Sequence, residues 1–161
     1  MYKNNFRKEF KKGSTLIEIV VVTAILALVS LAFLGTFTAL SQFHYKDMLI
    51  IKGELLAEEG IEALRFVKES GWNNLSSIPS GSKRYLSLAP SAWSITTNPE
   101  VVDGEFFRYF RVYEVLRDAS DDIVSSSGTI DPDTLLLDVS VDWNWRGSTT
   151  TANYKSYITN I

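Results

Sequence analysis

The 161-residue chain has no cysteine and only one histidine, His44. Without thiols there is no disulfide framework, thiolate zinc site or cysteine nucleophile, and one imidazole cannot build a multi-histidine metal centre or a conventional proton relay. There is also no excess of positive charge. The formal net charge of -3 gives no bulk attraction to a phosphate backbone, so no nucleic-acid partner is expected. No G-x-S-x-G, no phosphate-cradling glycine loop and no carboxylate pair marked by position is present. No catalytic residue is therefore assigned, and the chain reads as a non-enzyme. Its 45% apolar and 22% charged content is that of a folded protein of about one domain, which excludes collagen-like, low-complexity and wholly disordered chains.

What is present is strongly polarised along the chain. Lys3, Arg7, Lys8, Lys11 and Lys12 against Glu9 give the first thirteen residues a charge of +4, and the remainder therefore carries -7. From Leu16 to Leu40 the sequence is almost continuously apolar, and the 22 residues from Ile19 to Leu40 hold neither charge nor proline. As a helix that stretch spans about 33 Å, enough for the roughly 30 Å hydrocarbon core of a bilayer. A run that is apolar all round and follows a basic cluster predicts a membrane-spanning helix, not a buried core helix. Lysine and arginine stay on the cytoplasmic side, so the amino terminus is expected inside and everything beyond about Ser41 outside. A cleaved secretory signal fits less well, because its apolar region is shorter and no small-x-small site follows Leu40.

Glu18 does not belong in a plain anchor. An ionised carboxylate at membrane depth costs about 2.5–3.5 kcal/mol or more and needs a cation. The next one downstream is Lys46, and Lys11 and Lys12 reach it only by snorkelling. The string Lys11-Lys12-Gly13-Ser14-Thr15-Leu16-Ile17-Glu18, followed by an apolar helix, resembles the prepilin signal of type IV pilins and type II secretion pseudopilins. The resemblance implies a membrane-embedded prepilin peptidase that cuts between Gly13 and Ser14 and makes Ser14 the new, usually N-methylated, amino terminus. Glu18 then pairs with that amine on a neighbouring subunit during filament assembly. An intramolecular pair across four residues is also geometrically open. Ser14 departs from the phenylalanine or methionine more usual at this place. Gly35 costs about 1 kcal/mol in mid-helix relative to alanine. It is read either as a point of local unwinding, where many pilins carry a proline, or as a close-packing site with Ala39.

Beyond Leu40 an amphipathic continuation is expected to about Ser70, ended by Gly71. Leu49, Gly53, Leu56, Gly60, Ala63 and Val67, widened by Ala57 and Leu64, form its apolar stripe. His44, beside Gln42, Phe43 and Tyr45, reads as an interfacial residue. Asn73 to Gly81 is a polar connection. Strands are predicted at Lys83–Leu88, Ala92–Thr96, Phe106–Leu116, with both faces mostly covered, Leu137–Trp145, and Tyr154–Thr159 after a turn at Arg146-Gly147-Ser148. In the Leu137 strand one face is core and the Asp138, Ser140, Asp142, Asn144 face is wet, while Trp143 and Trp145 pack on the helix stripe. With no helical crossover the sheet should be antiparallel.

The expected fold is thus α+β: a leader at 1–13, a transmembrane or filament-core helix at 14–40, its amphipathic continuation at 41–71, and a small antiparallel sheet domain at 72–161. Asp118, Asp121, Asp122, Asp131 and Asp133 crowd one loop. They are weak calcium candidates by analogy with the family, although the spacing is no EF-hand, and the plainer reading is a solvated acidic loop. No other metal or cofactor is expected. The implied partners are the prepilin peptidase, other pilin subunits, the pilus or secretion assembly machinery and the lipid bilayer. The implied location is the inner or cytoplasmic membrane, single-pass with a cytoplasmic amino terminus, and then a cell-surface or periplasmic filament. Two rivals stand beside this: an uncleaved single-span anchor carrying an extracytoplasmic binding or sensing module, and a membrane-tethered hydrolase using the acidic loop.

Overall fold

The computed structural model describes the backbone of residues 6–89 and 92–160, and side chains over 15–88 and 92–160. The chain divides into two compact units, Met1–Lys46 and Asp47–Ile161. Helix α1, Phe6–Glu69, belongs to both.

In the first unit the described residues, 15–46, are helical and every one is exposed. The segment buries none of its leucine, isoleucine, valine or phenylalanine side chains within its own chain. From Thr15 onward α1 is long and apolar enough to cross a membrane.

The second unit is a helix laid on an antiparallel sheet. The predicted stripe is the buried face of α1: Leu49, Gly53, Leu56, Ala57, Gly60, Ala63, Leu64 and Val67, with Ile61 added. Each fully buried branched side chain contributes about 1.5–3 kcal/mol. Gly53 and Gly60 set how near the layers come. A Cβ at Gly53 would collide with the Trp143 ring, and one at Gly60 would lie 2.8 Å from Val139 Cγ1. Past α1, Gly71 takes φ +149° and its amide donates to Lys68 O. The polar connection that follows contains one further helical turn, α2, Asn73–Ser76, whose Leu75 joins the core.

Strands β1 (Tyr85–Ala89) and β2 (Ala92–Thr96) form a hairpin; Pro90 between them lies outside the described residues. The main sheet runs β3 (Glu100–Val102), β4 (Phe106–Arg117), β6 (Thr129–Trp145), β7 (Ser148–Thr159), with β5 (Ile123–Val124) also on β4. All pairings are antiparallel. Between β6 and β7 the turn is two residues, Arg146 at φ 50° and Gly147 at φ 81°, the left-handed pair whose twist matches a hairpin.

Several expectations need correction. The final strand starts at Ser148, not Tyr154: the tight turn brings the Thr-rich segment into register on β6 although it has no apolar alternation of its own. β6 begins at Thr129, so Asp131 and Asp133 are strand residues. Pro132 is accommodated because Glu114 pairs with Leu135 but Val115 with Asp131, leaving the intervening residues out of register. On β4 the inner face is buried at Phe106, Arg108, Phe110 and Val112. The other face is open, with Phe107 exposed and Tyr109, Arg111 and Tyr113 half-buried; of the predicted outer residues only Val115 is covered. The supposedly wet face of β6 is also partly closed, since Asp138 and Ser140 are only 8% and 5% exposed. Trp143 is core as expected, with its indole N–H unpartnered among the described residues, and Trp145 is half-buried against the core.

Candidate functional site

The candidate assembly segment is the apolar part of α1. Gly13 and Ser14, the expected processing position, lie outside the residues whose side chains are described, as does the leader. Glu18 is exposed, and no ion pair or hydrogen bond engages its side chain among the described residues. It is also the only formally charged residue from Thr15 to Tyr45. Four hydroxyls along the same segment bond to the helix backbone. Thr23 donates to Ile19 O at 3.0 Å, Ser30 to Leu26 O at 2.8 Å, Thr36 to Ala32 O at 3.0 Å and Thr38 to Gly35 O at 2.9 Å. Such back-bonding satisfies a hydroxyl inside a helix without an external partner. The Glu18 carboxylate has no such bond among the described residues. At Gly35 the backbone is helical and an added Cβ would meet nothing within 4 Å. His44 is exposed.

The acidic residues in and beside the β4–β6 connection are organised by a cation that sequence reasoning passed over. Arg117 Nε donates to Asp131 Oδ2 at 2.6 Å and Arg117 Nη1 to Asp121 O at 2.8 Å. Asp131 Oδ1 accepts the Asp133 amide at 2.9 Å. The Arg117 hydrogen bond first, then those from Thr134 and the Asp133 amide, hold the Asp131 carboxyl at about 2, below its ordinary 3.8. The same bond to Asp131 raises the Arg117 guanidinium above its usual range. Asp118 Oδ1 accepts the amides of Ser120 and Asp122, closing the loop on itself. Among the described residues no group of three or more His, Asp or Glu side chains is placed to hold a metal ion. Of the five aspartates, Asp121 and Asp131 pair with Arg117, Asp118 accepts backbone amides, and Asp133 Oδ1 accepts the Asn160 side-chain amide at 3.2 Å.

A second polar centre lies between helix and sheet. Arg108, 2% exposed, donates from Nε and Nη2 to the two carboxylate oxygens of Glu100 at 2.8 and 2.7 Å, and from Nη1 to Leu56 O at 3.2 Å. Glu59 lies 3.3 Å from Nη1, and Trp93 lies beneath the guanidinium at 5.1 Å. Burial acts to lower its pKa, but the Glu100 hydrogen bonds and the charges of Glu100 and Glu59 outweigh that and raise it. This clamp links α1, β2, β3 and β4. The sequence signal for it was the arginine's position, in phase with Phe106 and Phe110.

The open face of the sheet carries a third group. Asp138 accepts from the Asn153 amide, which also donates to Ser140 Oγ, and Lys155 lies 3.5 Å from the same carboxylate. A groove of about 490 Å³ opens on this unit between Val115, Ile123, Leu136 and Tyr157.

Comparisons with protein-family models, with curated proteins and with solved structures return no match.

Proposed function

We propose that the chain is a structural subunit of a type IV pilus or type II secretion pseudopilus, cleaved after Gly13 by a prepilin peptidase and assembled through its N-terminal helix. The observation that carries this reading is an apolar helical segment exposed on every side among the described residues, with one acid, Glu18, that has no partner among them and stands five residues beyond a glycine that ends a basic leader.

A plain anchor explains the apolar surface but not the acid. Cleavage creates an amine at Ser14, at the depth where the carboxylate lies, and pairing the two removes a burial penalty neither bears alone. When that amine belongs to a neighbour, the same pair selects filament register. The sheet domain then faces outward from the cytoplasmic membrane and is carried into a cell-surface or periplasmic filament. Its partners are the peptidase, sibling subunits, the assembly machinery and, before assembly, the bilayer. In this reading the chain is a substrate of processing and performs no catalysis.

Mass spectrometry of the protein's amino terminus, taken from cells with an active prepilin peptidase, tests the reading. A chain beginning at Ser14, with or without an added methyl group, is the expected result. An intact leader overturns it and leaves the uncleaved single-span module.

A further inference from the structure

The sheet has one face covered by α1 and one face open, and the open face collects positive charge in an otherwise acidic unit. Arg84 pairs with Phe110 across an antiparallel bridge, with amide–carbonyl bonds of 2.9 Å in both directions. That register puts Lys83 beside Arg111 and Tyr85 beside Tyr109 on the open face. β4 and β6 then place Asp138 opposite Arg111, and β7 places Lys155 opposite Asp138. The resulting row is Lys83, Arg111, Asp138, Lys155: three cations and one carboxylate.

The carboxylate is already engaged by Asn153 and Lys155. Neither Lys83 nor Arg111 forms a salt bridge among the described residues. Instead both lie against one ring: Lys83 Nζ is 3.6 Å from the Tyr109 centroid and the Arg111 guanidinium 5.1 Å, so the two cations are at most about 8.7 Å apart. Lys83 also lies 5.7 Å from the Tyr85 ring. Like charges side by side across a sheet are destabilising, and ring quadrupoles compensate only in part, by about 0.5–1 kcal/mol at exposed sites. The other acids near this face do not neutralise the pair: Asp142 accepts from Thr151, and Glu114 lies beside the groove beyond Tyr113.

We propose that Lys83 and Arg111, gathered on the one Tyr109 ring, form a binding site for a phosphate monoester dianion. A tetrahedral phosphate presents three acceptor oxygens, one edge for the guanidinium fork and another for the ammonium. A carboxylate has two oxygens in one plane and serves the fork alone. The row's excess of two positive charges matches a dianion. The net negative charge of the rest of the unit opposes a long polyanion, whose remaining charges lie within a Debye length, about 8 Å, of acidic surface. The site lies on the sheet face opposite the one that the Leu49–Val67 stripe of α1 covers, and it does not depend on the filament reading.

The test is a titration of the full chain, in non-ionic detergent, with phenyl phosphate followed by calorimetry and by ³¹P line broadening. Lys83→Gln and Arg111→Gln should each weaken binding about tenfold, and the double variant should abolish it, while thermal midpoints hold or rise slightly as the like-charge repulsion is relieved. Arg146→Gln removes a cation stacked on Trp145 elsewhere in the unit and should have no effect. Dimethyl phosphate, a diester monoanion, should bind more weakly than phenyl phosphate, and inorganic phosphate should compete. The site is refuted by absence of phenyl phosphate binding at millimolar concentration, by binding that survives the double variant, or by equal loss in Arg146→Gln. Equal or tighter binding of the diester overturns the dianion assignment. N-terminal processing is read separately and is unaffected by any of these outcomes.

Discussion

The two parts of α1 are both rich in apolar residues, yet they solve opposite problems. Residues 15–46 expose everything, and from Leu49 to Val67 the helix hides a stripe against a sheet and leaves Glu54, Glu58, Glu62 and Arg65 in water. What separates them is the period of the pattern, not the amount of apolar surface. A continuous run has no preferred face and must be covered by something outside the chain, lipid or other helices. A stripe repeating every three and four residues has one face and can be covered from within. Polar groups follow the same division. The first part returns the hydroxyls of Thr23, Ser30, Thr36 and Thr38 to its own backbone and holds one carboxylate without a partner among the described residues, whereas the second holds a buried guanidinium in place with two acids and a helix carbonyl.

The sharpest way to break this contrast is Glu18→Gln. It should abolish incorporation into filaments, read by shearing and immunoblotting, while leaving the thermal midpoint of the sheet domain where it was. Normal incorporation would mean the acid has no assembly role. Arg108→Ala is the mirror experiment. It strands the Glu100 carboxylate, 16% exposed, and should cost the second unit about 3–5 kcal/mol in denaturant unfolding with no change in membrane insertion. Gly53→Ala pushes a methyl group into the Trp143 ring and should cost about 1–3 kcal/mol, whereas Gly35→Ala, with open space around it, should stabilise the isolated helix slightly.

The smallest effect belongs to Asp131. Its folded pKa of about 2 lies below the ordinary 3.8, so the stability it supplies is complete above about pH 4 and is lost as pH falls through about 2. Asp131→Asn should lower the urea midpoint at neutral pH and flatten the acid decline between those values. An unchanged decline would show that Arg117 is not its partner in solution.

The helix stripe and the strands β4 and β6 were legible because periodic burial leaves periodic sequence. Strands β3 and β5, of three and two residues, are too short to carry a period. The first half of β7 is Ser-Thr-Thr-Thr-Ala-Asn, ordered by its neighbour across a tight turn and not by its own composition. Asp131 and Asp133 were read as loop residues, but the ladder that breaks around Pro132 resumes on both sides of it. Arg108 was hidden because a charge in phase with phenylalanines reads as an interruption, and its partners stand 8 and 49 positions upstream, joined to it only by topology. The candidate assembly site is the reverse case. Glu18 was conspicuous in sequence because of where it sits, and the structure adds that nothing described within the chain answers it.

Gly60 is inseparable from Arg108. A side chain there would meet Arg108 Cδ at 3.3 Å as well as Val139, and the arginine reaches the Leu56 carbonyl one helical turn before the glycine. A notch in the helix and the arm that enters it are thus one mechanical joint. Damage to both should cost less than the two injuries added together, because an arm already amputated has nothing left for a blocked notch to displace.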